Sequence, residues 1–313
     1  MKSCTSVQQA EMVAIIKRLA PNEGHTSSLL AGVKLMRSDR PLGRTPVMYE
    51  PSIVIVCQGS KRGYLGDKVY FYDAQHYLVL SVPLPFSTET NASQEEPLLA
   101  ISVSLDMTAI ADLILEVDRN VSSPLTEPLG IISTGLDCAL SDTALRLLHA
   151  LTDPLEARVL GPGIVRELCF RVLTGERGGA IRAALASNGS FARISRSLKR
   201  IHDNYARSLN VTSLAREAGM GIQTFHSHFK TVTGTSPLQY IKSVRLHQAR
   251  LLMIRDNLTA AAAATQVGYE SSSQFNREFK RTFGRSPGEE AREMKMAFAL
   301  LPAAQLENIA ATH

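Results

Sequence analysis

The chain contains 313 residues with 34 Lys and Arg against 29 Asp and Glu, so its formal net charge is +5 and its pI is near 9.1. A chain of this length can hold two domains, each with its own core. Its four cysteines are too scattered for a disulfide framework or a Cys-x-x-Cys metal pair, which predicts free thiols in a reducing cytosol. Neither a signal peptide nor a run of about eighteen apolar residues is present, so a cytoplasmic protein without a membrane segment is expected.

Short β-rich segments dominate the region from about residue 32 to residue 103, and turn signals such as Gly59-Ser60 separate them. Even spacing of short strands predicts an antiparallel sandwich or barrel. The predicted strands are Val33–Met36, Ser52–Gln58, Lys61–Leu65, Lys68–Tyr72, Tyr77–Val82, Phe86–Thr90 and Leu98–Val103. Helical patterns follow at Met107–Val117, Thr143–Leu151 and Gly163–Thr174, and the apolar character of the last two suggests a dimer surface.

The sequence predicts neither a metal centre nor a catalytic site in this β-rich region. His76 is its one histidine, His25 lies before it, and no His-x-His pair occurs. His226 and His228 do form such a pair, but on a predicted helix, where positions i and i+2 point about 200° apart and cannot chelate one ion. No nucleophile and base are suitably spaced. We therefore expect no enzyme activity, no metal and no cofactor.

The last third of the chain contains an internal repeat. Val211–Gly219 and Ala260–Gly268 are the two opening segments, and each is followed by a second helical pattern. Phe229 and Phe279 are fifty positions apart, whereas the two glycines are forty-nine apart, so one residue is inserted in the second turn. A repeat of this length indicates two copies of one supersecondary unit. Helix, glycine turn and helix is the helix-turn-helix layout, whose second helix enters the DNA major groove.

The second helix of each copy has one apolar and one polar side. In the first copy Ile222, Phe225, Phe229 and Val232 are predicted to face the core, and in the second copy Phe275, Phe279 and Phe283. The opposite stripes have the same register. They are Gln223, His226, Ser227 and Lys230, then Ser273, Asn276, Arg277 and Lys280. Short polar groups followed by a basic residue suit contacts to base edges backed by a phosphate contact.

One helix, Ser236–Met253, is predicted to join the two copies, because Ser-Pro is a helix start signal. Its eighteen residues would span about 27 Å, somewhat short of the ~34 Å between successive major-groove faces. Two recognition helices at its ends could meet adjacent groove segments. Charge agrees with a DNA partner, since residues 190–313 carry 17 Lys and Arg against 9 Asp and Glu, whereas residues 1–189 carry 17 against 20.

The C-terminal region resembles the AraC/XylS family of bacterial transcription regulators over roughly residues 193–290. The runs that carry the resemblance are Val244-Arg-Leu246, Ala249-Arg-Leu-Leu252, Val267-Gly-Tyr-Glu-Ser271, Gln274-Phe-Asn-Arg277, Phe279-Lys-Arg281 and Phe283-Gly-Arg-Ser-Pro287. The resemblance implies a sequence-specific regulator of transcription that binds double-stranded DNA and contacts RNA polymerase. The DNA-binding residues it implies are Gln223, Thr224, His226, Ser227, Lys230, Ser272, Ser273, Asn276, Arg277 and Lys280.

Two positions depart from the family pattern. Ser227 stands where the family often has a longer polar or basic side chain, so the first helix is expected to read DNA more weakly or through His226. Alanines fill Ala260–Ala264 in place of an Ile-x-x-Ile-Ala pattern. Alanine favours helix but buries little apolar area, so the second unit is expected to be the less stable one.

The N-terminal region is similar to the cupin-like domain of one AraC-type subgroup over roughly residues 20–175, on the strength of Tyr49–Lys61 and Tyr77–Pro85. Because this barrel lacks a metal-ligand set and a glycine-broken connector at 175–179 joins it to the DNA reader, we expect a small organic effector, not a metal, to bind inside the barrel of a homodimer. An alternative stays open, in which the barrel only dimerises and no ligand acts. Candidate inward-facing effector contacts are Arg37, Tyr64, Tyr70, Tyr72 and His76.

The expected architecture is an α+β protein with two domains. The N-terminal one is a cupin-like antiparallel β-barrel with flanking helices, and the C-terminal one is all-α, with two helix-turn-helix units joined by a linker helix. The expected boundaries are residues 1–175 for the barrel, 176–195 for a linker, 196–295 for the DNA-binding domain and 296–313 for a tail. The sequence decides neither the effector nor the operator, and it leaves activation against repression and oxidation sensing by Cys57 open.

Overall fold

The computed structural model describes residues 6–119, 128–185 and 189–299. An N-terminal helix, α1 (Ser6–Leu19), precedes the first strands. Ten strands follow in two antiparallel sheets. They are β1 (Gly24–Ser27), β2 (Val33–Ser38), β3 (Leu42–Tyr49), β4 (Ser52–Gln58), β5 (Ser60–Leu65), β6 (Lys68–Asp73), β7 (His76–Leu80), β8 (Leu84–Asn91), β9 (Leu98–Ser104) and β10 (Ile131–Gly135).

The two sheets face each other and form a barrel. The larger has the strand order β1-β2-β9-β4-β7-β10, and the smaller has the order β3-β8-β5-β6. Alternate residues along the larger sheet point to opposite sides, which is why β4 is buried almost throughout, from Ser52 to Cys57. One side faces the barrel interior, and the other is covered by helices. The antiparallel barrel predicted from the sequence is confirmed.

Five helices complete the N-terminal half. They are α2 (Met107–Asp118), α3 (Cys138–Ala150), α4 (Pro154–Val159), α5 (Gly161–Thr174) and α6 (Gly178–Leu185). Together with α1 they pack against the outer side of the larger sheet and form a first hydrophobic core. Cys57 is fully buried in this core. No described helix is long and apolar enough to cross a membrane.

The segment between the two halves of the chain is mostly helical. Helix α5 ends at Thr174, where the predicted helical pattern ends, and α6 begins after three intervening residues, at Gly178. The buried Arg182 fixes α6 in place, because its Nε lies 2.9 Å from Asp118 Oδ1 and its guanidinium also donates to the Leu173 carbonyl. Helix α7 (Gly189–Asn204) follows. The region expected to be a linker, residues 176–195, therefore contains α6 and the start of α7.

In the described part of the C-terminal half, up to residue 299, six further helices follow. They are α8 (Val211–Glu217), α9 (Ile222–Thr233), α10 (Pro237–Arg255), α11 (Ala260–Gln266), α12 (Ser272–Phe283) and α13 (Pro287–Ala299). The two turn glycines predicted from the repeat, Gly219 and Gly268, both have positive φ, at 62° and 85°. Such backbone favours glycine because it has no Cβ. The two helix-turn-helix units joined by one long helix are confirmed.

The barrel and the first helix-turn-helix unit share one hydrophobic core. Side chains of the barrel interior and of helices α7 to α10 belong to a single buried cluster. The Tyr240 hydroxyl donates to the Pro83 carbonyl at 2.7 Å, and His202 Nε2 lies 2.9 Å from the same hydroxyl. Gly234 approaches Leu65 so closely that a Cβ on it would lie 2.8 Å from the leucine Cγ. The first unit therefore closes one end of the barrel.

The second unit has a core of its own, built on Phe275, Phe279 and Phe283 of α12. Helix α10 contributes to both cores. Its first half places Tyr240, Ile241 and Val244 in the core shared with the barrel. Its second half places Leu246, Ala249, Leu252 and Met253 in the core of the second unit. The helix expected over Ser236–Met253 is thus a bridge between two cores, with Ser236 as its N-cap.

Candidate nucleic-acid interface

Both recognition helices, α9 and α12, present a continuous exposed polar face. Phe225 and Phe229 are fully buried on the inner side of α9, and Phe275 and Phe279 are fully buried on the inner side of α12. Every DNA-binding residue expected from the sequence is exposed, and all ten lie on these two helices: Gln223, Thr224, His226, Ser227, Lys230, Ser272, Ser273, Asn276, Arg277 and Lys280. The packing of the barrel against the first helix-turn-helix unit therefore leaves the polar faces of α9 and α12 exposed.

Ile222 corrects one detail of the sequence-based pattern. Its spacing predicts a core position, but its side chain is 47% exposed. The reason is that Ile222 is the first residue of α9 and lies outside the buried layer that Phe225 and Phe229 form. The other predicted core residues of both recognition helices are buried.

The starts of the two recognition helices differ. Ser271 caps α12 and accepts a hydrogen bond from the Gln274 amide at 3.3 Å. Gly221 precedes α9 and provides no side-chain cap. Both helices end at a glycine with positive φ, Gly234 and Gly284, each of which donates its amide to a lysine carbonyl in the last turn. Both recognition helices therefore end in the same way, at a glycine in the left-handed backbone region.

A surface recess of about 420 Å³ lies beside the exposed face of α12. Asn276, Arg277 and Lys280 form one side of it. The opposite side comes from residues 286–288, where α13 begins. The recess thus has two cationic side chains, Arg277 and Lys280, at its edge.

Arg245 was quoted in the sequence motif without a role, and the structure gives it one. From α10 its guanidinium donates three hydrogen bonds to carbonyls: Nε to Tyr205 at 2.8 Å, Nη1 to Gly268 at 3.0 Å and Nη2 to Arg207 at 2.9 Å. Gly268 belongs to the turn of the second unit, while Tyr205 and Arg207 follow α7. Arg245 therefore ties the second turn to the first unit. The sequence signal that could have pointed to this structural role is an arginine between two apolar residues, Val244 and Leu246.

Glu278 holds α12 against its neighbours. Lys242 Nζ lies 2.7 Å from its Oε1, and the Tyr269 hydroxyl donates to its Oε2 at 2.7 Å. Burial alone would raise the pKa of Glu278, but hydrogen bonds from Lys242 and Tyr269 lower it. The ionised carboxylate thus links α10 and the second turn to the recognition helix. Glu278 lies between Arg277 and Phe279, in the run that resembles the family, and sequence reasoning gave it no role.

A buried ion pair connects the second unit to the barrel. Arg250 on α10 is 2% exposed, and its Nε lies 2.8 Å from Glu290 Oε1 on α13. The same guanidinium donates from Nη1 to the Pro46 carbonyl of β3 at 3.3 Å. Charges so deeply buried need such partners, because isolated they would be strongly destabilising. The position of α13 therefore depends on a contact with the barrel.

The five candidate effector contacts are not brought together. Tyr72 is fully buried in the barrel interior. Arg37 faces the helical layer, where it pairs with Asp39 at 2.7 Å. Tyr64 lies on the outside of the smaller sheet and donates to Glu89 at 2.6 Å. Tyr70 is half-buried, and His76 pairs with Asp73 at 2.7 Å at the start of β7. Tyr70 and Tyr72, two residues apart on β6, share one face, whereas Arg37 and Tyr64 point away from the barrel interior, so the five residues do not form one group.

Other polar groups face the barrel interior. Lys61 Nζ donates to the Tyr49 hydroxyl at 2.9 Å, and Tyr72 packs in the same cluster as Tyr49. His25, which the sequence placed before the strands, lies on β1 and is buried. Burial and then the nearby Lys61 and Lys34 lower its pKa to about 3, so it is neutral at pH 7. Apolar side chains fill most of the remaining interior, and Thr88 and Thr90 of β8 are buried on the same face as Phe86. Among the described residues, no group of His, Cys, Asp and Glu could hold a metal ion.

Known proteins resemble both halves of the chain. The family model for the AraC-type transcriptional regulator N-terminus matches residues 29–180, and that for a helix-turn-helix domain matches residues 214–293. The thermoregulatory protein LcrF of Yersinia pestis is 29% identical over 201 residues, which cover 64% of this chain and 72% of LcrF. The RCS-specific HTH-type transcriptional activator RclR of Escherichia coli is 40% identical over 79 residues, 25% of this chain and 28% of RclR.

Solved structures share the whole two-domain fold. Apo ToxT of Vibrio cholerae, as a point variant, superposes with a TM-score of 0.54 at 12% identity, over 86% of this chain and 98% of ToxT. Wild-type ToxT with a bound unsaturated fatty acid superposes with a TM-score of 0.51 at 13% identity, over 86% of this chain and 97% of ToxT. At these identities the likeness concerns the fold.

Proposed function

Because the chain belongs to the AraC/XylS family of bacterial transcription regulators, we propose that α9 and α12 read two adjacent major-groove segments of one operator. One observation carries the proposal: the two helices expose polar stripes in the same register, fifty residues apart, while their phenylalanines are buried. Arg245 and Glu278 support it, because they tie both units and α10 into one frame. The target genes are transcribed more strongly when the site is occupied.

The ten exposed residues divide into two roles in this proposal. Base edges are contacted from Gln223, Thr224, His226 and Ser227 on α9 and from Ser272, Ser273, Asn276 and Arg277 on α12. Lys230 and Lys280, one turn later, contact phosphates. This division follows from side-chain chemistry, since short polar groups and arginine match base edges, whereas lysine is a compact point charge.

Replacing Arg277 by alanine is expected to cost roughly 1–3 kcal/mol of affinity on the cognate site, mostly at one or two base pairs, because a base-edge contact carries sequence information. Lys280→Ala is the matched variant from the same face. It should weaken binding to cognate and random DNA alike. Binding constants of the full chain on both kinds of duplex measure the difference. An equal loss on both duplexes for Arg277→Ala would make Arg277 a phosphate contact.

The barrel is proposed to respond to a small organic effector. Its interior is largely apolar and includes the polar groups of Lys61, Tyr49, Tyr72, Thr88, Thr90 and the neutral His25, which suits an apolar molecule carrying one oxygen acceptor. Fatty-acid-bound ToxT has the same fold and supports a ligand of this kind. Because the first helix-turn-helix unit closes the barrel, a bound effector would change how that unit is held.

The alternative is a barrel that only dimerises. The close packing of the barrel interior favours it. So do exposed apolar side chains on and beside α4, namely Leu155, Val159 and Leu160, which would suit a homodimer surface. An RNA polymerase contact is part of both proposals.

A ligand titration separates the two alternatives. The full chain is first screened with metabolites by thermal shift, because binding to the native state raises Tm. A hit should alter affinity for a two-site operator, and Tyr72→Phe should weaken the hit at least about threefold by removing one buried hydroxyl. Tyr64→Phe, on the outer face of the smaller sheet, is the control. If no compound shifts Tm, or if a hit leaves DNA affinity unchanged, the dimerisation-only function replaces the sensor.

A further inference from the structure

Ile222 is an aliphatic residue that contributes little to the hydrophobic core. It is 47% exposed at the first position of α9, whereas the other apolar residues of the same helix, Phe225, Phe229 and Val232, are 0–4% exposed. A side chain with half its area in water contributes little to the core. Packing therefore does not explain why a large apolar residue stands here.

The position of Ile222 points to the DNA. It directly precedes Gln223 and lies one turn before His226, and both of these are exposed. Gly221 precedes it and has no side chain that could cover it. In helix-turn-helix proteins the N-terminal residues of the recognition helix contact the base edges. Ile222 would thus enter the major groove together with the polar residues of α9.

The major groove offers one apolar group, the C5-methyl of thymine. An exposed isoleucine cannot hydrogen-bond to a base edge, but it can cover this methyl and remove both groups from water. We propose that Ile222 determines specificity by contacting a thymine methyl in the half-site that α9 reads. The inference rests on the proposed function and adds a residue and a base to it.

The second unit differs at this point. Fifty positions after Ile222 stands Ser272, also exposed and also the first residue of its helix. The two units therefore present different chemistry at equivalent positions: an apolar contact from α9 and a hydroxyl from α12. An apolar contact also compensates for the short Ser227 of the first unit. DNA affinity is therefore expected to depend on a thymine methyl in the half-site that α9 reads, and not at the equivalent position of the half-site that α12 reads.

The experiment uses the full chain and a duplex selected by it from a randomised library. Each thymine of that duplex is replaced singly by deoxyuridine, which lacks only the methyl. At one thymine in the α9 half-site the wild type should lose affinity about fourfold, the effect of one buried methyl group. Ile222→Ser, which copies the second unit, should bind both duplexes equally. Ile222→Val should keep most of the difference.

Leu238→Ser is the matched control, because Leu238 is 51% exposed on α10 and lies outside both recognition helices. It should keep the wild-type dependence on the methyl. A wild type that tolerates deoxyuridine at every position would overturn the inference. So would an Ile222→Ser variant that still binds the thymine duplex about four times more tightly than the deoxyuridine duplex. If Ile222→Ser binds like wild type but loses transcription with RNA polymerase, the residue is a protein contact instead. Failure to select any sequence would refute the proposed function itself.

Discussion

The affinity of the full chain for duplex DNA is expected to fall about a thousandfold between 50 and 200 mM salt, the loss typical of about six phosphate contacts. The physical reason is counterion release, since each neutralised phosphate frees condensed cations into the solution. Residues 190–313 carry 17 Lys and Arg against 9 Asp and Glu, so the excess charge lies in the half that contains both recognition helices. Binding constants over this salt range measure the slope.

Two variants make the salt experiment specific. Lys280→Ala should reduce the slope of log affinity against log salt by about one, as expected for one lost phosphate contact. Lys68→Ala, an exposed lysine on β6 of the barrel, should leave the slope unchanged. The full chain is the proper material, because the first helix-turn-helix unit shares its core with the barrel. An affinity for duplex DNA that does not change with salt concentration would contradict DNA binding through phosphate contacts.

Acid should unfold the protein well before its carboxylates are protonated. The reason lies in three histidines, of which His25 and His247 are buried and His202 is partly buried. Burial lowers the pKa of His25 and of His247 to about 3 and that of His202 to about 4, from an ordinary value of 6.5. Each ring is therefore neutral in the folded chain at pH 5, whereas in the unfolded chain it is mostly protonated.

Proton linkage determines whether the free energy of unfolding rises or falls with pH. Below pH 6.5 the unfolded chain binds more protons, so the free energy of unfolding decreases as the pH falls. Between pH 7.5 and pH 5 each histidine accounts for roughly 2 kcal/mol, and the three for roughly 6 kcal/mol, comparable to the whole stability of a domain. Burial raises the pKa of Glu50, which offsets part of this loss because the folded chain then takes up a proton there first.

Thermal melting of the full chain between pH 7.5 and pH 5 checks this expectation. His247→Phe should lower the acid sensitivity by about a third, since the new ring can pack on Phe283 as the imidazole does, at 5.2 Å between centroids. His226→Gln, measured without DNA, is the control, because His226 is exposed. A Tm that stays constant down to pH 5 would contradict the neutral, buried state of these rings.

Much of this fold could be predicted from the sequence, because its strongest signals are local. The repeat is visible since Gly219 and Gly268 occupy backbone with positive φ and since phenylalanines recur at helical spacing. Strands β4 and β7 are visible as dense apolar runs. Strands β1, β3 and β10 were missed: β1 has four mostly polar residues, β3 begins with Leu42, Gly43 and Arg44 before a register shift, and β10 lies beyond the β-rich region, after α2.

The interface between the two halves could not be predicted. Tyr240 and Pro83 are 157 positions apart, and neither carries a pattern that points to the other. The same holds for Arg250 and the Pro46 carbonyl, since main-chain acceptors leave no trace in the sequence. Face assignment was also uncertain for the candidate effector residues, because Tyr64 and Arg37 lie in segments where both faces contain polar residues.

The two helix-turn-helix units meet the barrel through different contacts. The first unit is joined to it through Tyr240 and Gly234, and the second, at the far end of α10, through the Arg250 guanidinium and the Pro46 carbonyl. A rearrangement of the barrel would therefore change the angular phase between the two half-sites that α9 and α12 are proposed to read. Inserting or deleting single base pairs between the half-sites would reveal which phase each state of the barrel favours.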